Sequence, residues 1–244
     1  MESKSTLWLT TMLAVVFVAL FGSPARTDMI MDWNAKADAI AAEKQITPSP
    51  HARALAILHV AMFEAVNAIE RRYNPYKLNL TADRSTSKEA AAASAGYHVL
   101  VALYPDQKTD LDATFVAMLA GIVEGESKTK GVDLGKKAAA DIIALRADDG
   151  ADAPESYRPH TSPGVYVPTM VPLNSTVGAW TPWTMTASAQ FRPAPPPALN
   201  SETWTRDLNE IRELGGRNST TRTAEQTTIG RFWFSRAHAP TTQS

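Results

Sequence analysis

From Pro50 to Arg71 the apolar positions recur three and four residues apart. Leu55, Leu58, Met62, Val66 and Ile69 form one stripe, with Tyr73-Asn74-Pro75-Tyr76 breaking the pattern beyond it. That period belongs to a helix with one face on a core. Upstream, residues 31–45 read as an alanine-rich helix with Asp32 near its start. Pro48 and Pro50 stand where a first helical turn tolerates proline. Thr86-x-x-Glu89 has the form of a capping box. It opens a helix through Ala90 to Tyr104, which Pro105 stops. Leu111, Phe115, Met118, Leu119 and Ile122 predict the next helix, with Thr114 in the one polar slot. Gly131 to Asp149 follows, with Leu134, Ala138, Ile142 and Leu145 inward and Gly150 as the stop. Asn200 or Ser201 caps another helix, whose Trp204, Leu208, Ile211 and Gly215 share a face and which Gly215-Gly216 ends. The last runs from about Thr223, with Ile229, Phe232 and Trp233 as its apolar patch. No strand alternation exceeds four residues and no internal repeat is present. The expected fold class is all-α, a helical bundle of about seven helices.

Residues 150–199 break the pattern. Ten of the sixteen prolines lie there, which excludes a continuous helix and central strands. Tyr157, Tyr166, Trp180, Trp183 and Phe191 are interleaved with them. The expectation is a long Pro/aromatic-rich irregular loop, ordered because its aromatics pin it to the helices. The predicted organisation is therefore a helical bundle over 26–149, the loop over 150–199, two further helices of the same domain over 200–234, and a frayed tail over 235–244.

The first 25 residues read differently. Lys4 is the only cation before an apolar run from Leu7 to Phe21, and Ser23-Pro24-Ala25 is small at both ends. This is the layout of a secretory signal peptide cleaved after Ala25. The run is about 15 residues, short of the roughly 20 that a bilayer span needs, and an uncleaved anchor is the alternative. No later segment reads as apolar enough to span a membrane. The predicted location is secreted or periplasmic, with no membrane contact after cleavage.

Composition narrows the chemistry. The chain has 244 residues, 24 Lys+Arg against 25 Asp+Glu, and no cysteine. A net charge of −1 excludes a nucleic-acid binder acting by bulk charge. The lack of cysteine excludes a disulfide scaffold, a thiolate zinc site, an iron–sulfur cluster and a cysteine nucleophile.

Common catalytic signatures are missing: there is no G-x-S-x-G, P-loop, H-E-x-x-H or G-x-G-x-x-G. The histidines are 51, 59, 98, 160 and 238, and no two stand three or four apart. His59, on the apolar stripe, reads as a hydrogen-bonded core histidine rather than a ligand or base, and so does His98. His51 and His160 flank prolines and are expected on the surface. Asp148, Asp149, Asp152 and Glu155 read as a solvated helix end, with an oxygen-rich calcium loop as the alternative. Glu124 and Glu126 lie among exposed polar residues and make a poor acid/base pair. Arg217 to Thr223 reads as a capped helix start with surface arginines, with an anion-binding helix N-terminus as the alternative. Asn79, Asn174 and Asn218 head glycosylation sequons, which matter in a host that glycosylates.

Several stretches together carry a family resemblance. They are Asp32-Trp33-Asn34; Arg53-Ala54-Leu55-Ala56 through His59, Met62 and Ala65-Val66-Asn67-Ala68; and Tyr73-Asn74-Pro75-Tyr76. Ala90 to Lys108, Leu134 to Asp152, Gly164 to Thr169 and Gln190-Phe191-Arg192-Pro193 continue it. The most specific part runs from Asp207-Leu208-Asn209-Glu210 through Ser219-Thr220-Thr221-Arg222-Thr223 and Gln226 to Phe232-Trp233. Over about 32–233 the chain resembles the vanadium-dependent haloperoxidases, a branch of the type 2 phosphatidic acid phosphatase superfamily. The resemblance implies a helical bundle, export, and a pocket for vanadate or phosphate. Members oxidise halide with hydrogen peroxide, and relatives hydrolyse phosphate esters.

The motifs that hold the oxyanion in that family are Lys-x6-Arg-Pro, Pro-Ser-Gly-His and Arg-x5-His. They follow the segment matched by Phe232-Trp233, and this chain ends eleven residues after Trp233. Arg158-Pro159 and Arg192-Pro193 are preceded seven residues earlier by Ala151 and Met185, not lysine. Arg53 and His59 have the Arg-x5-His spacing, but six residues turn a helix by about 240°, so the two side chains diverge. No catalytic, cofactor-binding or metal residue is carried over, and vanadate is expected only in a complete family member. The expected function is that of the N-terminal helical portion of a secreted haloperoxidase-like protein, inactive alone. Its expected partner is the missing C-terminal helical half or a second copy. The alternatives are a non-catalytic exported interaction module and half of a split enzyme.

Overall fold

The computed structural model describes residues 28–169 and 172–237. The segment expected to be a signal peptide, His238 and the tail beyond it lie outside the described residues. Seven α-helices carry the fold: α1 (Met29–Glu43), α2 (Pro48–Glu70), α3 (Lys88–Leu103), α4 (Lys108–Ala120), α5 (Glu126–Leu145), α6 (Glu202–Gly215) and α7 (Ala224–Ala237). Short 3₁₀ turns occupy Pro105–Gln107 and Ser175–Ala179, and no strand occurs among the described residues. The all-α fold class is as the periodicity predicts.

The chain divides into two compact units. One comprises residues up to Ser156 together with Leu173–Thr181; the other comprises Tyr157–Pro172 and the residues from Pro182 on. In the first unit α3 is central and packs against α1, α2, α4 and α5. Its buried residues are Ala90 to Gly96, Val99 and Leu100, apolar on every side, as a helix with neighbours all round requires. Small side chains let α5 come close. A Cβ on Gly135 would overlap the Ala91 carbonyl oxygen and stand 2.7 Å from the Ala95 nitrogen, so only glycine fits there. Ser94 Oγ fastens the crossing by donating to the Val132 carbonyl at 2.7 Å.

Helix boundaries follow local chemistry. Asp28 caps α1 by accepting from the Ile30 and Met31 N–H groups, and Asp32 stands in its first turn as expected. Ser87, one residue after the expected Thr86, caps α3 by accepting from Ala90 N at 3.1 Å, while Thr86 is buried. Helix α5 begins five residues earlier than Gly131 because Lys128 faces inward. Its ammonium donates to the Leu119 carbonyl at 2.8 Å, satisfying the open C-terminal end of α4. Leu145, expected inward, is 46% exposed, and Arg146 and Asp149 take its place in the interior.

Helix α2 is both long and apolar enough to cross a membrane by composition alone, contrary to the reading of the sequence. Its apolarity has a soluble-core explanation. Ala54, Ile57, Leu58, Ala61, Met62, Ala65, Ala68 and Ile69 are buried against α1, α3 and α5.

The 150–199 segment is held differently from expectation. Tyr157, Tyr166 and Phe191 are exposed, so these aromatics do not pin it; Trp180 and Trp183 are half-buried. Polar groups anchor the part that belongs to the first unit. Asn174 Nδ2 donates to Thr47 Oγ1 at 2.8 Å, Thr181 N donates to the Asp149 carbonyl at 2.8 Å, and Ser175 N donates to Glu155 at 3.1 Å. Gly150, at φ +89°, turns the chain where Ala179 passes within 3.3 Å of where a Cβ would stand. The Asn174 amide is thereby spent on the fold, whereas Asn79 and Asn218 are exposed.

In the second unit, Ser201 caps α6 and accepts from Trp204 N. Thr223 and Gln226 cap α7 reciprocally: each side-chain oxygen accepts from the other's backbone N–H, at 3.1 and 2.9 Å. Helix α7 continues to Ala237, beyond the predicted end at 234.

Candidate functional site

Besides Thr86, Ser94 and Lys128, the first unit holds polar side chains in two further places. At the foot of α5, Asp149 is 3% exposed. Its Oδ2 accepts from Arg53 Nε at 2.8 Å and from Arg146 Nε at 3.0 Å, and its Oδ1 accepts from Ala151 N at 3.1 Å. Arg53 also donates to the Arg146 carbonyl at 3.0 Å, and Arg146 to the Thr181 carbonyl at 2.6 Å. Two guanidiniums thus sandwich one carboxylate and spend donors on main-chain carbonyls. Burial alone pushes the Asp149 carboxyl up. The hydrogen bonds from Arg53 and Ala151 and the charges of both arginines outweigh it and hold the carboxyl below its usual value of 3.8. The expected solvated helix end is therefore corrected for Asp149, which is an interior tie between α2, α5 and the returning loop. Asp148 and Asp152 remain exposed, and Glu155 holds Ser175. Among the described residues no three acidic or histidine side chains converge as a metal site.

The second cluster is on α1 and α2. His59 Nε2 pairs with Asn34 Oδ1 at 2.9 Å, but the residue is half-buried and borders a cavity rather than lying in the core as expected. Its partner is an amide. Arg53 and His59 reach separate partners, Asp149 and Asn34, so their motif-like spacing builds no joint site. Glu64, a carboxylate only 1% exposed, accepts from the backbone N–H groups of Lys77 and Leu78 at 2.8 and 3.1 Å. Asn67 clamps Tyr73 by donating to its carbonyl and accepting from its N–H. Nothing in the residue pattern marks Glu64, because its partners are main-chain groups.

The other histidines separate by environment. His160 is exposed, as expected. His51 is half-buried instead, with Nε2 2.8 Å from Asp38 Oδ1. His98 lies between Tyr97 and Phe115, with ring centroids 4.9 and 6.4 Å away. Burial, aided by the charge of Lys136, pulls its pKa below 6.5. A histidine depressed in the fold contributes stability that is fully present above 6.5 and declines as pH falls toward the folded value. His98→Gln is expected to remove that step from a plot of unfolding free energy against pH. A step of unchanged size in the variant would assign it to another group.

The segment before α7 also resolves. Arg222 donates to the Leu214 and Gly216 carbonyls at 2.8 and 3.2 Å and to Thr227 Oγ1 at 3.2 Å. It closes the C-terminal end of α6, so Arg222 is a half-buried tie rather than the surface arginine expected. Glu124 pairs with Lys128 and Glu126 with Lys130, so they are not a carboxylate couple.

The second unit exposes large apolar side chains on both of its helices. Ile211 is 67% exposed on α6, and Ile229 (50%), Phe232 and Trp233 (66%) are exposed on α7. Exposed apolar surface of this kind marks sites of association. Set beside known proteins, the chain matches no family model, no curated protein and no solved structure.

Proposed function

We propose that this chain is the N-terminal helical portion of an exported, vanadium-dependent haloperoxidase-like protein. It supplies scaffold, and further helices supply the oxyanion site. The observation that carries this reading is that the separate resembling stretches meet in space. Trp33 Nε1 donates to the Ala93 carbonyl at 3.1 Å, Asn34 pairs with His59, Asn67 clamps Tyr73, and Arg53 pairs with Asp149. Residues spread over the sequence thus form one set of polar ties across α1, α2, α3 and α5. In this reading Ile211, Ile229 and Trp233 are the surface on which a C-terminal helical half, or a second copy, docks. Vanadate belongs to the completed protein, where it would receive peroxide.

The test is bromide oxidation by the purified chain with vanadate and hydrogen peroxide. No turnover is expected from the chain alone. Turnover is expected once a polypeptide carrying Lys-x6-Arg-Pro, Pro-Ser-Gly-His and Arg-x5-His from an adjoining reading frame is added. Turnover without it overturns the reading. The exposed α6 and α7 residues also favour a second reading, a non-catalytic exported module that binds a protein partner. An adjoining frame that encodes none of the three motifs favours that reading.

A further inference from the structure

Two cavities meet at the C-terminal end of α2. One, of about 290 Å³, is walled mainly by Ile30, Met62, Phe63, Val66 and Tyr73, with His59 and Asn67 also in its lining. The other, of about 380 Å³, is lined by Ile69, Glu70, Arg72, Arg84 and Lys88. Glu70 and Arg72 border both, so an apolar hollow opens directly on three cations and one carboxylate. Lys88 engages that carboxylate at 2.5 Å. The second cavity's lining offers Arg72 and Arg84 no further acid.

The cleft is preorganised. Asn67 fixes the backbone of Tyr73 with two hydrogen bonds, at 2.8 and 3.0 Å, and Glu64 fixes the following turn through Lys77 and Leu78. The Arg72 guanidinium lies over the Tyr73 ring, 5.4 Å from its centroid, at the junction of the two cavities. A stacked guanidinium presents a planar fork suited to a carboxylate or similar head group. The volumes sit near the small end of ligand pockets, about 300–1,000 Å³. The combination of a half-open apolar hollow with a cationic mouth selects one chemical class.

We propose that this cleft binds a small anionic amphiphile, of which a medium-chain carboxylate is the simplest. The chain fills the hollow between Met62, Phe63 and Val66. The head group lies on Arg72, with Arg84 and Lys88 beside it. This does not depend on the haloperoxidase-like reading.

Calorimetric titration of the full chain with octanoate, octanol and acetate tests it. Octanoate is expected to saturate at one per chain, with octanol and acetate each about tenfold weaker or more, because each lacks half of the recognition. Arg72→Gln weakens octanoate about tenfold and leaves octanol unchanged. Glu70→Gln strengthens octanoate several-fold by removing the carboxylate from the lining. Val66→Trp fills the hollow and abolishes binding with the helical circular dichroism intact. The proposal is overturned by absence of binding, by equal affinity for octanol and octanoate, or by an Arg72→Gln chain that binds octanoate as well as the parent. Recruitment to anionic phosphatidylglycerol vesicles with no binding of free octanoate overturns it in favour of a membrane surface.

Discussion

Asp149→Ala is expected to destabilise the first unit by about 3–5 kcal/mol, because it leaves Arg53 and Arg146 charged and buried without their shared carboxylate. Their side chains are 18% and 4% exposed, too little for water to replace the partner. A surface ion pair such as Lys88–Glu70 is worth about 0–1 kcal/mol by contrast. Denaturant unfolding followed by circular dichroism measures the difference, and a loss below about 1 kcal/mol would place the cluster with surface pairs. The pH dependence adds an independent check. Asp149 is depressed below 3.8 in the fold, so its contribution is fully present above 3.8 and is lost as pH falls through the folded value. The parent should lose stability on that acid limb, and Asp149→Ala should show a shallower one.

The second large effect lies at the α1–α3 contact. Trp33 is fully buried and stands against Gly96, where an added Cβ would overlap its Cδ1 and fall 2.6 Å from its Cγ and Nε1. Trp33→Ala removes the largest buried side chain and is expected to cost about 3–5 kcal/mol. Gly96→Ala alone is expected to cost about 1–3 kcal/mol, since the indole has no room to retreat. In the Trp33→Ala background the same methyl enters a cavity, and Gly96→Ala should cost nothing or stabilise. The double-mutant cycle therefore predicts strong coupling of opposite sign to the single effects. Additive costs would mean that the two residues do not share this contact.

The helices were legible because apolar residues at three- and four-residue spacing have few other readings. The stripe Leu55, Leu58, Met62, Val66, Ile69 lies on α2, and Leu58, Met62 and Ile69 are fully buried. Leu55 and Val66 are only half-buried, and Val66 borders the cavity beside α2. Interior polar groups were far less legible. Asp149 looked like one of four exposed acids. Its partner Arg53 is 96 residues away, and no local pattern records such a pairing. Arg222 looked like a surface cation, yet it satisfies carbonyls at the end of the preceding helix, as Lys128 also does. The aromatics between 150 and 199 misled because aromatic content suggests burial, whereas Asn174 and Thr181 do the anchoring there. The cleft beside α2 left one trace, the Arg71-Arg72 doublet. Arg84 and Lys88 join Arg72 only through the fold.

One measurement bears most directly on the claim that this chain is scaffold without its own oxyanion site. It is vanadium-51 NMR of vanadate titrated with the purified chain. The free-vanadate resonance is expected to keep its position and width at equimolar protein, and to change only when the motif-bearing partner is added. A stoichiometric bound resonance from the chain alone would contradict the claim and make Arg217, Arg222 and His59 the first residues to substitute.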